Sequence, residues 1–78
     1  MRHLKIVNIV LNGRRTSITL SEVQLKIAQK LASEHHGVNL NAYLCTLIEA
    51  VKSQTPCGAS TAVRDGILID LYNIWRNR

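Results

Sequence analysis

The chain has 78 residues, with ten Lys or Arg against five Asp or Glu (a formal charge of +5) and only one Trp, two Tyr and no Phe. That length holds one domain, residues 1–78, whose core is too small to be comfortable without a partner, a metal or a disulfide. No apolar run approaches the roughly 20 residues of a membrane span, and three aromatic side chains offer little surface for stacking single-stranded bases. Nothing after Met1 reads as a secretory leader, so a cytoplasmic location is expected. Cys45 and Cys57 lack the spacing of a metal or redox motif and read as two reduced thiols, with one disulfide between them left open. The positive charge is uneven: Arg2, Lys5, Arg14 and Arg15 all precede the first acidic residue, Glu22. A basic N-terminal portion ahead of a near-balanced remainder points toward a polyanion.

Residues 4–11 (LKIVNIVL) are rich in Ile and Val and read as a strand. Asn12-Gly13 follows, a strong hairpin signal because both central positions of a type I′ turn need positive φ. In residues 14–20 (RRTSITL), Thr16, Ile18 and Leu20 alternate with Arg15, Ser17 and Thr19. Period two places the first set on a core and the second outward. Ser21 opens a helix over residues 21–36 with a capping box to Gln24. Leu25, Ala28, Leu31 and Ala32 repeat at helical spacing. Gly37 suits a left-handed helix end. Asn39 caps a second helix, 39–53, with Leu40, Tyr43, Leu44, Leu47, Ile48 and Val51 on its apolar side. Pro56 and Gly58 mark a loop. Ser60 is expected to cap a third helix, 60–76, with Val63, Ile67, Leu71 and Ile74 on one face. Gly66 inside that helix suggests a close backbone approach, since Gly there costs about 1 kcal/mol relative to Ala. A lone hairpin is marginal in water and an open strand edge invites another strand. A dimer with strands paired between chains answers both problems.

The string Arg15-Thr16-Ser17-Ile18-Thr19-Leu20-Ser21-Glu22, the helical positions Leu25, Ala28, Leu31 and Ala32, and then Gly37 and Asn39 resemble the ribbon-helix-helix family of Arc, MetJ and CopG type. NGRRTSITLS and the later STAVRDGIL are similar to its aryl-sulfate-sulfotransferase-like subfamily, whose members tend to carry a GxRTSxxLE-type strand. The resemblance implies an α+β fold: a strand or hairpin followed by three helices, in an intertwined homodimer with an intermolecular antiparallel β-ribbon. It also implies double-stranded DNA binding in the major groove rather than sulfate transfer, in a bacterial or phage transcriptional regulator, most simply a repressor. By position, Arg15, Ser17 and Thr19 meet base edges. Arg suits guanine O6 and N7, and Ser and Thr suit either kind of base pair. The N-terminus of the second helix (Asn39, Leu40 and Asn41) would hold a phosphate through backbone N–H groups, with Arg14, Lys5 and Arg2 as further phosphate contacts. Ile18, Leu20, Leu25, Leu31, Leu44, Leu47 and Ile67 are the expected dimer core.

The first strand and third helix exceed the minimal fold. Paired within one chain, the first strand would widen the dimer sheet to four strands or lay a basic arm along a phosphate backbone. Arg64, Arg76 and Arg78 could touch phosphates but read first as solvated charges. His35 and His36 are adjacent and make a poor pair for one metal, and no further ligand set accompanies His3, so no metal or cofactor is expected. No nucleophile sits beside an evident base, no phosphate-cradling glycine loop is present, and Asp65 and Asp70 stand five apart, so no catalytic role is expected. The alternative function is a protein-interaction module, or an antitoxin with a toxin partner, that keeps the dimer fold with or without DNA binding.

Overall fold

The computed structural model of the chain describes residues 4–77. Strand β1 (Leu4–Leu11) and strand β2 (Arg14–Ser21) form a two-stranded antiparallel sheet. The register runs from Leu4 opposite Ser21 to Leu11 opposite Arg14. Asn12 and Gly13 take φ of 53° and 79°, the positive pair that the tight turn demands. Three helical segments follow: α1 (Glu22–Lys30), α2 (Leu40–Lys52) and α3 (Ala59–Arg76). The chain is thus a small α+β fold in which a hairpin precedes three helices.

Alternation sorts the hairpin into two faces. Ile9, Ile18 and Leu20 are buried against the helices, with Val7 and Leu11 packed beside them. They join Ala28 of α1, Tyr43, Leu44, Leu47 and Ile48 of α2, and Ala62, Val63 and Ile67 of α3 in one core. Of the residues expected at a dimer core, Ile18, Leu20, Leu31, Leu44, Leu47 and Ile67 are buried within the single chain, and Leu25 is half-buried against the same cluster.

Local signals account for the helix starts with one exception. Ser21 and Gln24 make the reciprocal capping box: Gln24 N–H donates to Ser21 Oγ at 3.1 Å and Ser21 N–H donates to Gln24 Oε1 at 2.9 Å. Asn39 Oδ1 accepts from Ala42 N–H at 2.8 Å. Ser60, however, is not the cap of α3. That place falls to Gly58, which offers no side-chain bond, and the Ser60 hydroxyl is spent on the hairpin instead. The first helix is also not uniform. Beyond Lys30 it continues as a π-helical segment, Leu31–His36, before Gly37 ends it at φ 66°. Such widened turns insert an extra residue and redirect the side chains that follow.

Helices α2 and α3 pack closely at Gly66. A Cβ built there would lie 2.9 Å from the Leu47 Cβ, an atom fixed by its own backbone. Gly66→Ala should therefore destabilise the fold by a net of about 1–2 kcal/mol, because the overlap outweighs the gain in helix propensity. Urea unfolding measures this, and a variant as stable as the wild type would mean that the helices pack less tightly.

Candidate nucleic-acid interface

The outward face of the hairpin carries Arg15, Ser17 and Thr19 from β2, with Leu4, Ile6, Asn8 and Val10 from β1 across from them. Arg15 and Ser17 are exposed and Thr19 is half-buried. Ser17 Oγ donates to Asn8 Oδ1 at 2.8 Å, so hydroxyl and amide sit as a polar pair on this face. Around them the face is apolar: Ile6 is 73% exposed, and Leu4 and Val10 are also exposed.

The backbone edges of the hairpin are as informative as its faces. Val10, on the free edge of β1, donates its N–H to Asn41 Oδ1 at 2.8 Å. Its carbonyl accepts from Asn41 Nδ2 at 3.2 Å and from the Cys45 thiol at 3.1 Å. Burial, and then the Glu49 charge, push the Cys45 thiol up, keeping the proton that makes this bond. On the free edge of β2, Thr19 N–H donates to Ser60 Oγ at 3.0 Å and the Thr19 carbonyl accepts from Arg64 Nη2 at 2.9 Å. Antiparallel pairs alternate in which edge their backbone groups face. Asn8 and Ile6 therefore share the orientation of Val10, and Arg15 and Ser17 that of Thr19.

The expected phosphate contacts are scattered. By register, Lys5 and Arg14 belong to the helix-side face and Arg15 to the outward face, although all three are exposed. Arg2 lies outside the described residues, as do His3 and Arg78. The N-terminus of α2 leaves the first-turn N–H groups of Leu40 and Asn41 without intrahelical acceptors. The Asn41 side chain is committed to Val10, which restricts it to a backbone role. Arg64 differs from its sequence reading. It is not a solvated charge but turns inward to the Thr19 carbonyl, with its Nε buried and without a partner among the described residues.

A polar cluster that sequence reasoning missed joins the end of the π turn to α2 and α3. Tyr43 Oη donates to Asp70 Oδ2 at 2.6 Å, and His36 Nε2 lies 2.9 Å from the same oxygen. The His36 ring stacks on Tyr43 with centroids 5.2 Å apart. The partners are 34 and 27 positions from Asp70, so no local pattern announced them. Burial and then the bond to Asp70 push the Tyr43 hydroxyl up, keeping it a donor. Burial works against the charge on Asp70, but the bonds from Tyr43 and His36 and the two nearby histidines outweigh it and hold the carboxyl below its ordinary value.

Cys45 and Cys57 are free thiols. Among the described residues, no three His, Cys, Asp or Glu side chains gather as a metal site, and no helix is long and apolar enough to cross a membrane. No known protein family, curated protein or solved structure matches the chain.

The Asp70 cluster sets a pH dependence. A carboxyl lowered by folding adds stability that is full above the ordinary value of 3.8 and is lost as pH falls through the lowered one. Asp70→Asn should be less stable than wild type at neutral pH and should lose less on acidification through that window. Thermal unfolding across pH tests this, and parallel curves for the two proteins would remove Asp70 as a contributor.

Proposed function

We propose that the chain is a sequence-specific binder of double-stranded DNA that acts as a dimeric transcriptional regulator, most simply a repressor. The observation that supports this best is the outward presentation of Arg15 and Ser17 on a hairpin bonded to the helices at Val10 and Thr19, in the order that gives the strand its likeness to ribbon-helix-helix proteins. Arg15 supplies a guanidinium for guanine, and Ser17 with its neighbour Asn8 supplies adaptable donors and acceptors. Thr19 continues the row. The free N–H groups of Leu40 and Asn41 supply a phosphate seat, assisted by Arg14 and Lys5. In the dimer of this proposal, the two β2 edges pair near Arg15 and Ser17. The bonds from Ser60 and Arg64 to Thr19 then yield to strand–strand bonds wherever the ribbon runs past Ser17. Because β1 is already paired to β2, the resulting sheet has four strands.

A second reading, a protein-interaction module or antitoxin, is favoured by Leu4, Ile6 and Val10, which expose apolar surface on the same face as Arg15. The two readings part on salt. DNA binding weakens steeply, with log K falling by about 0.9 per log unit of salt for each phosphate neutralised. An apolar interface does not.

Selection from random duplex DNA, with wild type beside Arg15→Ala, tests the proposal. Wild type should enrich an inverted repeat. Arg15→Ala should lose about 1–3 kcal/mol on that site and much less on random duplex. Equal losses on both would reduce Arg15 to a phosphate contact. No enrichment by either protein would overturn DNA recognition and favour the interaction module.

A further inference from the structure

Between α2 and α3 runs a groove of about 540 Å³, in the range of small-molecule sites. Its apolar wall includes Leu47, Val51 and Ile69, and the buried Gly66, packed against Leu47, also lines it. Its polar wall carries two carboxylates and one imidazole. Two of the five acidic residues of the chain, Asp65 and Asp70, line it beside His36, which is bonded to Asp70, and among the described residues no Lys or Arg does, in a protein whose net charge is +5. The Asp70 side chain is only 17% exposed. Both its hydrogen bonds, from Tyr43 and His36, fall on Oδ2, so Oδ1 has no donor among the described residues. The two bonds also fix the carboxylate in place, which lowers the ordering cost of binding a cation there.

We infer that this groove binds a small organic ammonium ion with an apolar body, its N–H groups donating to Asp70 Oδ1 with Asp65 adding to the field and its body lying on Leu47, Val51 and Ile69. A charge-assisted bond to a fixed carboxylate at a partly desolvated site is among the stronger polar contacts a protein offers. A carboxylate ligand of the same shape would be repelled. The site is built from the helices alone, so it stands independently of any DNA contact by the hairpin.

The test is an NMR titration of the full-length ¹⁵N-labelled protein with phenethylammonium, beside phenylacetate and the neutral 2-phenylethanol. The ammonium should give saturable shifts centred on Thr46, Ala50, Gly66 and Asn73, and phenylacetate should give none. Asp70→Asn should weaken binding about tenfold or more, the loss of one charge-assisted bond. Asp65→Asn and Ala50→Leu change exposed positions that keep the fold. The first should weaken binding several-fold and the second should narrow the groove and abolish it. They decide the matter even if Asp70→Asn unfolds. Arg15→Ala should leave binding unchanged. Absence of saturable shifts, equal binding of 2-phenylethanol, or full affinity in both Asp65→Asn and Ala50→Leu would overturn the inference.

Discussion

A two-stranded sheet leaves half of its backbone polar groups facing away from the partner strand, and an isolated hairpin relies on water to satisfy them. Here α2 and α3 meet that demand at one residue on each edge. Asn41 and Cys45 close on Val10, and Ser60 and Arg64 close on Thr19. Each clamp joins positions at least 31 residues apart. Together with Ile9, Ile18 and Leu20 on the inner face, the clamps bind the hairpin to α2 and α3. The rest of the architecture depends on this docking, since neither the hairpin nor the short α1 has a core of its own.

The same clamps shape what the outward face is free to do. They secure the hairpin from behind and from both sides, so Arg15, Ser17 and Asn8 are presented on a supported surface rather than a fluctuating loop. Among the described residues, they leave the edges open at Leu4, Ile6 and Asn8 on one side and at Arg15 and Ser17 on the other. Strand addition by a second chain has a short stretch to work with before it meets Ser60 and Arg64. Natural sheets guard their edges against unwanted pairing in this way. In the proposed regulator, the strength of the Thr19 clamp would then set how readily the dimer ribbon forms. Arg64, with its buried and unpartnered Nε, is the less satisfied half of that clamp.

Much of this fold was legible in the sequence because its signals are local. Asn12-Gly13 specified the turn, period two specified the faces of β2, and Ser21 with Gln24 specified the start of α1. The misreadings concern side chains whose partners are far away in sequence. Ser60 looks like a helix cap and Arg64 like a solvated charge until β2 is placed beside them. Asn41 looks like a phosphate-site residue until Val10 is beside it. Asp65 and Asp70, five apart on one helix, face a common groove only because α2 lies across it, packed tightly at Gly66. The π turn has no sequence signature either, and it ends on His36, which reaches Asp70. In the candidate interface, residue identity and face were readable, and so was the split of the basic pair: Arg14 and Arg15 are neighbours in sequence and therefore point to opposite faces of the strand.

The central claim is that the outward hairpin face reads DNA, and mapping a bound duplex onto the protein by NMR tests it most directly. With ¹⁵N-labelled protein and short duplex DNA at low salt, the account predicts the largest shifts at Arg15, Ser17 and Asn8, a second group at Leu40 and Asn41, and fading of both as salt rises. Shifts confined to the exposed apolar side chains of α3, around Leu68, Tyr72 and Trp75, or no shifts at any salt concentration, would contradict it.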